Sequence, residues 1–339
     1  MRYTIHLIIA AIALVATSCG PSGEEVNVYS GRHYRTDEAL FAEFTQQTGI
    51  RVNLIKANSD QLINRLQMEG ERSPADLIIT ADAGRLILAR EMGLLQPFES
   101  QKIKEIVPSH YRDDQDFWTG FTKRARVIVY HKERVNPSEL DSYEQLADPK
   151  WNGRILVRSS QNHYNQTLMA SILAALGTDS ATQWGHKLVA NMAQTPRGND
   201  RDQVKAIAAG VGDIAIVNTY YIGLLVNSSN AEEREVAAQV GIHFPNQNGR
   251  GTHVNISGVG IAANARNYEN ANKLIEFLLE NRAQSLFAEE NFEYPVNPNI
   301  EWPALLNDWG TFKADTLPLH KLGQHLHQAM VIFNTVGWE

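Results

Sequence analysis

The chain has 339 residues, with 31 Lys+Arg against 38 Asp+Glu, a net charge of −7, 43% hydrophobic residues and a single Cys. That length exceeds the roughly 250–300 residues at which one hydrophobic core stops growing, so two domains or two lobes are expected. Ordinary Gly and Pro contents exclude collagen-like and low-complexity classes, an acidic balance without a basic run argues against a nucleic-acid partner, and one Cys excludes disulfide frameworks and cysteine-rich zinc or iron–sulfur sites.

The chain opens with Met1-Arg2-Tyr3, an apolar run over 5–16, and Thr17-Ser18-Cys19-Gly20. A charged start, a short apolar stretch and small residues at its end make a secretory signal over 1–19. The run is too short to span a membrane, which takes about 20 apolar residues. The lone Cys sits where the signal would be cut and resembles a bacterial lipobox, although Ala16 stands where such boxes usually carry Leu. The resemblance implies a lipid on Cys19, a tether over 20–25, and a protein held in the periplasm or on the outer face of the cytoplasmic membrane.

Residues 26–30 alternate as a strand, and 36–48 have helical spacing at Leu40, Phe41 and Phe44, closed by Gly49. Strand 50–55, helix 59–69, apolar strand 75–80 and helix 83–92 follow, giving β-α-β-α-β-α and hence an α/β layer with a mostly parallel sheet. Residues 124–130 read as a long strand. A second α/β set opens at Trp151, with helices 165–176, 178–190 and 202–209 and a strand at 213–217; strand 253–262 and helix 268–279 come later. The last 40 residues, rich in Trp and Leu, are expected to wrap back over a lobe. No repeat of 20–50 residues recurs. The expectation is an α/β, two-lobed binding protein, with hinge strands near 124–130 and 249–262. The first lobe takes 26–123 with 249–298, and the second takes 124–248 with 299–339.

Catalytic signatures such as G-x-S-x-G, the P-loop, H-E-x-x-H and C-x-x-C are missing from the sequence. Gly258-Val-Gly260-Ile-Ala-Ala263 fits a loose dinucleotide pattern but lies inside an expected strand. Tyrosines stand instead at strand ends, where ligands of open α/β sheets bind. Tyr34 follows the first strand, Tyr164 the strand at Ile155, and Tyr220-Tyr221 the strand 213–217. Two consecutive aromatics on an extended chain cannot both enter one core layer. Taken singly, each reads as a core aromatic with its hydroxyl at the surface. Together they are hard oxygen donors, and with a phenol pKa near about 10, binding at neutral pH takes a strongly Lewis-acidic ion such as ferric iron. Mg²⁺ and Ca²⁺ prefer carboxylates and carbonyls. Four phenolates and Fe³⁺ carry one net negative charge, which Arg124 or Arg126 on the hinge strand would offset. His33 is a candidate nitrogen ligand, and His163 stands beside the better donor Tyr164. Asp200-Arg201-Asp202 reads as a helix entry, and Asp113-Asp114-Gln115-Asp116 as a solvated loop.

Several blocks together resemble the periplasmic ferric-iron-binding proteins of ABC importers: Val28-Tyr-Ser-Gly-Arg-His-Tyr34, Lys123 to Tyr130, Trp151-Asn-Gly-Arg154, Tyr164-Asn-Gln166, Asn218-Thr-Tyr-Tyr221, Gly249 to Ile256 and Tyr294-Pro-Val-Asn-Pro298. The His-Tyr entry and the Tyr-Tyr pair resemble the branch of cyanobacterial and Campylobacter-type binders. The resemblance implies a type II solute-binding fold, Fe³⁺ as the transported ligand, and an ABC permease with its ATPase as partners. It implies Tyr34, Tyr164, Tyr220 and Tyr221 as ligands, His33 as a fifth in some relatives, and Arg124 or Arg126 facing the metal or an anion. Leu224 departs from the basic residue of many relatives. A monomer without catalytic activity is expected. The rival readings are a solute-binding protein for a polyamine, thiamine-like compound or oxyanion, and an exported hydrolase or zinc enzyme using His33 and His163.

Overall fold

The computed structural model describes residues 24–339; the signal segment, Cys19 and the tether up to residue 23 lie outside the described residues. The chain begins with β1 (Glu25–Ser30), α1 (Arg35–Thr48), β2 (Arg51–Lys56), α2 (Ser59–Glu69), β3 (Leu77–Thr80), α3 (Ala83–Glu91), β4 (Leu95–Gln96) and α4 (Gln101–Ile106). The long strand β5 (Trp118–His131) leads to β6 (Ile155–Leu156), α5 (His163–Leu176), α6 (Thr178–Ala190), α7 (Asp200–Ala208), β7 (Ile214–Asn218), α8 (Thr219–Val226), α9 (Ala231–Gln239) and β8 (Val240–His243). It closes with β9 (Val254–Ala262), α10 (Tyr268–Leu278), α11 (Asn281–Glu290), β10 (Tyr294–Pro295), α12 (Ala304–Asp308) and α13 (Gly323–Val336).

Local chemistry explains the early elements. Val26 and Val28 of β1 and Leu40, Phe41 and Phe44 of α1 are buried against one another's layer. Gly49 ends α1 at a φ of 76°, a left-handed position that costs glycine nothing. Asn58 opens α2 with a reciprocal cap to Gln61. The expected strand 124–130 begins six residues earlier, at Trp118. Thr119, Thr122 and Lys123 interrupt the apolar run there, yet Thr119 and Thr122 are buried in a part of the strand that has β9 on one side and β10 on the other.

The strands run in the order β2-β1-β3-β9-β5-β7-β6, with β4 beside β9 and with β8 and β10 beside β5. β1 pairs in parallel with β2 and β3, and β6 with β7; the pairings of β5 and β9 are antiparallel. β5 serves two lobes. Its first part, up to Ala125, pairs with β9, and from Arg126 onward it pairs with β7. The C-terminal helix α13 lies on α5 and α6, so the last residues do fold back over a lobe. Gly258 and Gly260 of β9 are packing glycines: a Cβ would lie 2.6 Å from Leu86 Cδ1 at the first and 2.9 Å from Leu95 Cδ1 at the second.

Candidate metal centre

Three helix starts deliver the four tyrosines. Tyr34 is the N-cap residue of α1. Tyr164 is the second residue of α5, whose cap is the Asn162 side chain accepting from the Tyr164 N–H. Tyr220 and Tyr221 are the second and third residues of α8, which starts directly after β7. The sequence pattern places Tyr164 before a helix at 165 and Tyr220-Tyr221 on an extended strand end; all three lie inside first helical turns. Asn162 starts α5 two residues early, and Thr-Tyr-Tyr-Ile-Gly in α8 is weak helix-forming sequence. The helical turn rotates the two neighbours by about 100°, so Tyr220 is buried and Tyr221 half-buried, with ring centroids 4.2 Å apart. The positive ends of the helix dipoles favour anions at these positions.

The four rings come together. The hydroxyls of Tyr164 and Tyr220 are 3.1 Å apart. The Tyr34 and Tyr220 rings meet edge to face with centroids 6.3 Å apart. Tyr164 and Tyr221 also line a cleft cavity of about 200 Å³ with Gly31, His33, Ser59 and Arg85. His33 is exposed on that cavity wall. His163 also faces the cavity, with its Nε2 lacking a hydrogen-bond partner among the described residues. Burial, then the surrounding arginines, hold its pKa well below the usual value, so the imidazole is neutral.

Guanidiniums back the phenols. Arg32 lies 4.5 Å from the centre of the Tyr34 ring, and Arg124, Arg126 and Arg158 lie 5.4, 5.9 and 6.0 Å from that of Tyr164. Arg124 and Arg126 of β5 are both buried. Arg124 donates to Ser257 Oγ at 2.9 Å and the Ile256 carbonyl at 2.8 Å, and Arg126 pairs with Asp200 and donates to Asn165 Oδ1 at 2.8 Å. Burial pushes the Tyr34, Tyr220 and Tyr221 phenols above their ordinary pKa, and neighbouring phenols push further in the same direction. At neutral pH these three stay protonated until a cation strong enough to displace the proton arrives.

Sequence reasoning missed Arg32, Arg158, Asp200 and Glu293. Asp202 does cap α7 reciprocally with Asn199, as a helix entry should. Asp200, however, is fully buried as the counter-ion of both Arg126 and Arg158 and accepts from the Asn218 N–H. An acid at a helix start carries no sequence mark that separates these roles. Asp113 likewise is buried rather than solvated: it pairs with Arg90 and accepts from the Gln115 and Phe117 N–H groups. Leu224 packs on the aromatic cluster that includes Tyr220, Tyr294 and Trp302, which gives that position an apolar role.

A family model described as a bacterial extracellular solute-binding protein matches residues 72–312. The chain is 48% identical over 316 residues to iron uptake protein A1 of Synechocystis, covering 93% of this chain and 88% of the relative. Among solved structures, a Trichodesmium protein (IdiA, FutA) in complex with iron and citrate ligands superposes with a TM-score of 0.91 at 48% identity, covering 93% of this chain and 100% of that one. The ferric binding protein from Campylobacter jejuni superposes with a TM-score of 0.89 at 41% identity, covering 93% and 100%. The chain belongs to the bacterial extracellular solute-binding proteins and stands within them beside the iron-uptake and ferric-binding members.

Proposed function

We propose that this protein captures Fe³⁺ in the cleft between its lobes and delivers it to an inner-membrane ABC permease driven by a cytoplasmic ATPase. Tyr34 of the first lobe and Tyr164, Tyr220 and Tyr221 of the second are the phenolate ligands, with His33 the candidate fifth. The observation that carries the reading is the meeting of four phenols from three helix starts, with the Tyr164 and Tyr220 hydroxyls 3.1 Å apart and guanidiniums behind them. Iron-uptake and ferric-binding names among the relatives support the same reading.

Hard anionic oxygens suit a hard trivalent ion, and buried phenols of raised pKa select against cations too weak to displace their protons. The lobes divide near residues 123–124 and 248–249, with 299–339 returning to the second lobe, and β5 and β9 act as the hinge. Binding is then a population shift. The open form offers the second-lobe tyrosines, and closure adds Tyr34. The protein works as a monomer outside the cytoplasmic membrane, tethered by a lipid on Cys19, and carries out no chemical conversion.

A visible absorption titration of residues 20–339 with ferric citrate tests the reading. A phenolate-to-iron charge-transfer band should saturate at one iron per chain, and Tyr220→Phe and Tyr221→Phe should each lose or shift it. A colourless protein without saturable uptake would redirect the search to organic cations and oxyanions.

A further inference from the structure

One buried carboxylate joins guanidiniums that back tyrosines of both lobes. Glu293, 1% exposed, follows α11 and lies far in sequence from any of the four tyrosines. Its Oε2 accepts from Arg32 Nη2 at 2.8 Å, and its Oε1 accepts from Arg32 Nη1 at 3.0 Å and from Ser257 Oγ at 3.1 Å. The same oxygen is 3.5 Å from Arg124 Nη1. Asp37 takes Arg32 Nε at 2.8 Å and Nη2 at 3.0 Å, and Arg32 Nη1 also donates to Ser257. All three nitrogens of the Arg32 guanidinium are engaged, which fixes it under the Tyr34 ring. Glu293 is therefore one guanidinium away from Tyr34 through Arg32 and from Tyr164 through Arg124.

Resting on the four-phenolate reading, we propose that Glu293 is a specificity-determining residue that sets the preference of the site for Fe³⁺ over Fe²⁺. Arg32, Arg124, Arg126 and Arg158 back the rings, and their carboxylate partners are Asp37, Glu293 and Asp200. The Glu293 carboxylate lowers the positive charge of this guanidinium layer by one unit, and less positive surroundings favour Fe³⁺ over Fe²⁺ at the same phenolates. Without it the surroundings are one unit more positive and the ferrous complex gains. The effect is long-range and electrostatic, so it requires no change of ligands. One unit charge at roughly 10 Å in an effective dielectric of about 20 alters the preference about tenfold.

Spectroelectrochemistry of the iron-loaded chain tests this, with the electrode supplying the electron that converts Fe³⁺ to Fe²⁺ and the charge-transfer band reporting the ferric form. Glu293→Gln should reduce the Fe³⁺-over-Fe²⁺ preference about tenfold, an upward shift of about 59 mV in reduction potential. Glu293→Asp, which keeps the charge, and Ser257→Ala, which removes a hydrogen bond but no charge, should stay close to the parent. A Glu293→Gln protein that still saturates at one iron with an unchanged potential overturns the proposal and leaves the site reading standing. So does a Ser257→Ala or Glu293→Asp protein that shifts as far as Glu293→Gln. Parent protein that takes up no ferric iron overturns both. Should Glu293→Gln fail to fold, Asp37→Asn removes charge from the same guanidinium and should shift the potential upward by less; no shift there overturns the proposal as well.

Discussion

Individual side chains around the cleft combine two opposing demands: buried polar groups must be satisfied, and a cation site must stay available. Arg32, Arg124 and Arg126 are nearly inaccessible to solvent and are held by carboxylates, hydroxyls and a carbonyl. Such clusters would be costly to bury without partners. His253 shows the same environment from the other side. It is buried near Arg250, Arg126 and Arg124, its Nε2 has no partner among the described residues, and burial first, then those cations, push its pKa down from 6.5 to about 3. Below pH 6.5 the unfolded chain therefore takes up a proton that the folded protein refuses. Stability present above that pH is lost as pH falls toward 3. His253→Gln should lose about 2 kcal/mol less than the parent between pH 6.5 and 4.5. Denaturant unfolding at the two pH values checks this; parallel losses would contradict it.

At the scale of elements, α8 matters most, because it carries two of the four tyrosines on one short helix. Its Gly223 packs directly on Phe292, where a Cβ would lie 2.3 Å from the ring Cγ. Phe292 has little freedom to yield, since its own φ is +58°, unusual for a bulky residue. Gly223→Ala should destabilise the fold by about 1–3 kcal/mol and weaken iron binding by displacing Tyr220 and Tyr221, as unfolding curves and iron titration would show. Unchanged values in both would mean that α8 is not held by this contact. The strand–helix alternation of the first lobe was legible because its apolar periods and its stops at Gly49 and Gly93 are local. The tyrosines were legible as candidates because each follows a strand. Helix α8 was not legible, because tertiary packing outweighs its poor intrinsic propensity. The arginine–carboxylate layer was equally hidden, since Arg32 and Glu293 are 261 positions apart and meet only in the folded chain.

For the whole molecule, β5 passes from its pairing with β9 to its pairing with β7, and polar contacts link α3, α5 and β9 near Tyr164. Thr167 of α5 donates to Asp82 at the start of α3 at 3.2 Å, and Asn255 of β9 donates to Thr167 at 2.9 Å. Under the proposed function, closure would press these surfaces together, and a trivalent ion shared between Tyr34 and the other three tyrosines would add the energy that biases the closed form. The rival cargoes, polyamines and thiamine-like cations, call for free carboxylates, whereas the cleft presents phenols backed by guanidiniums and its Asp60 is paired with Arg85. Iron-edge anomalous diffraction from crystals of residues 20–339 loaded with ferric citrate would locate the bound ion. One strong peak is expected, enclosed by the hydroxyls of Tyr34, Tyr164, Tyr220 and Tyr221. A peak held by the imidazoles of His33 and His163 without phenols, or no peak in the cleft, would contradict the four-phenolate site.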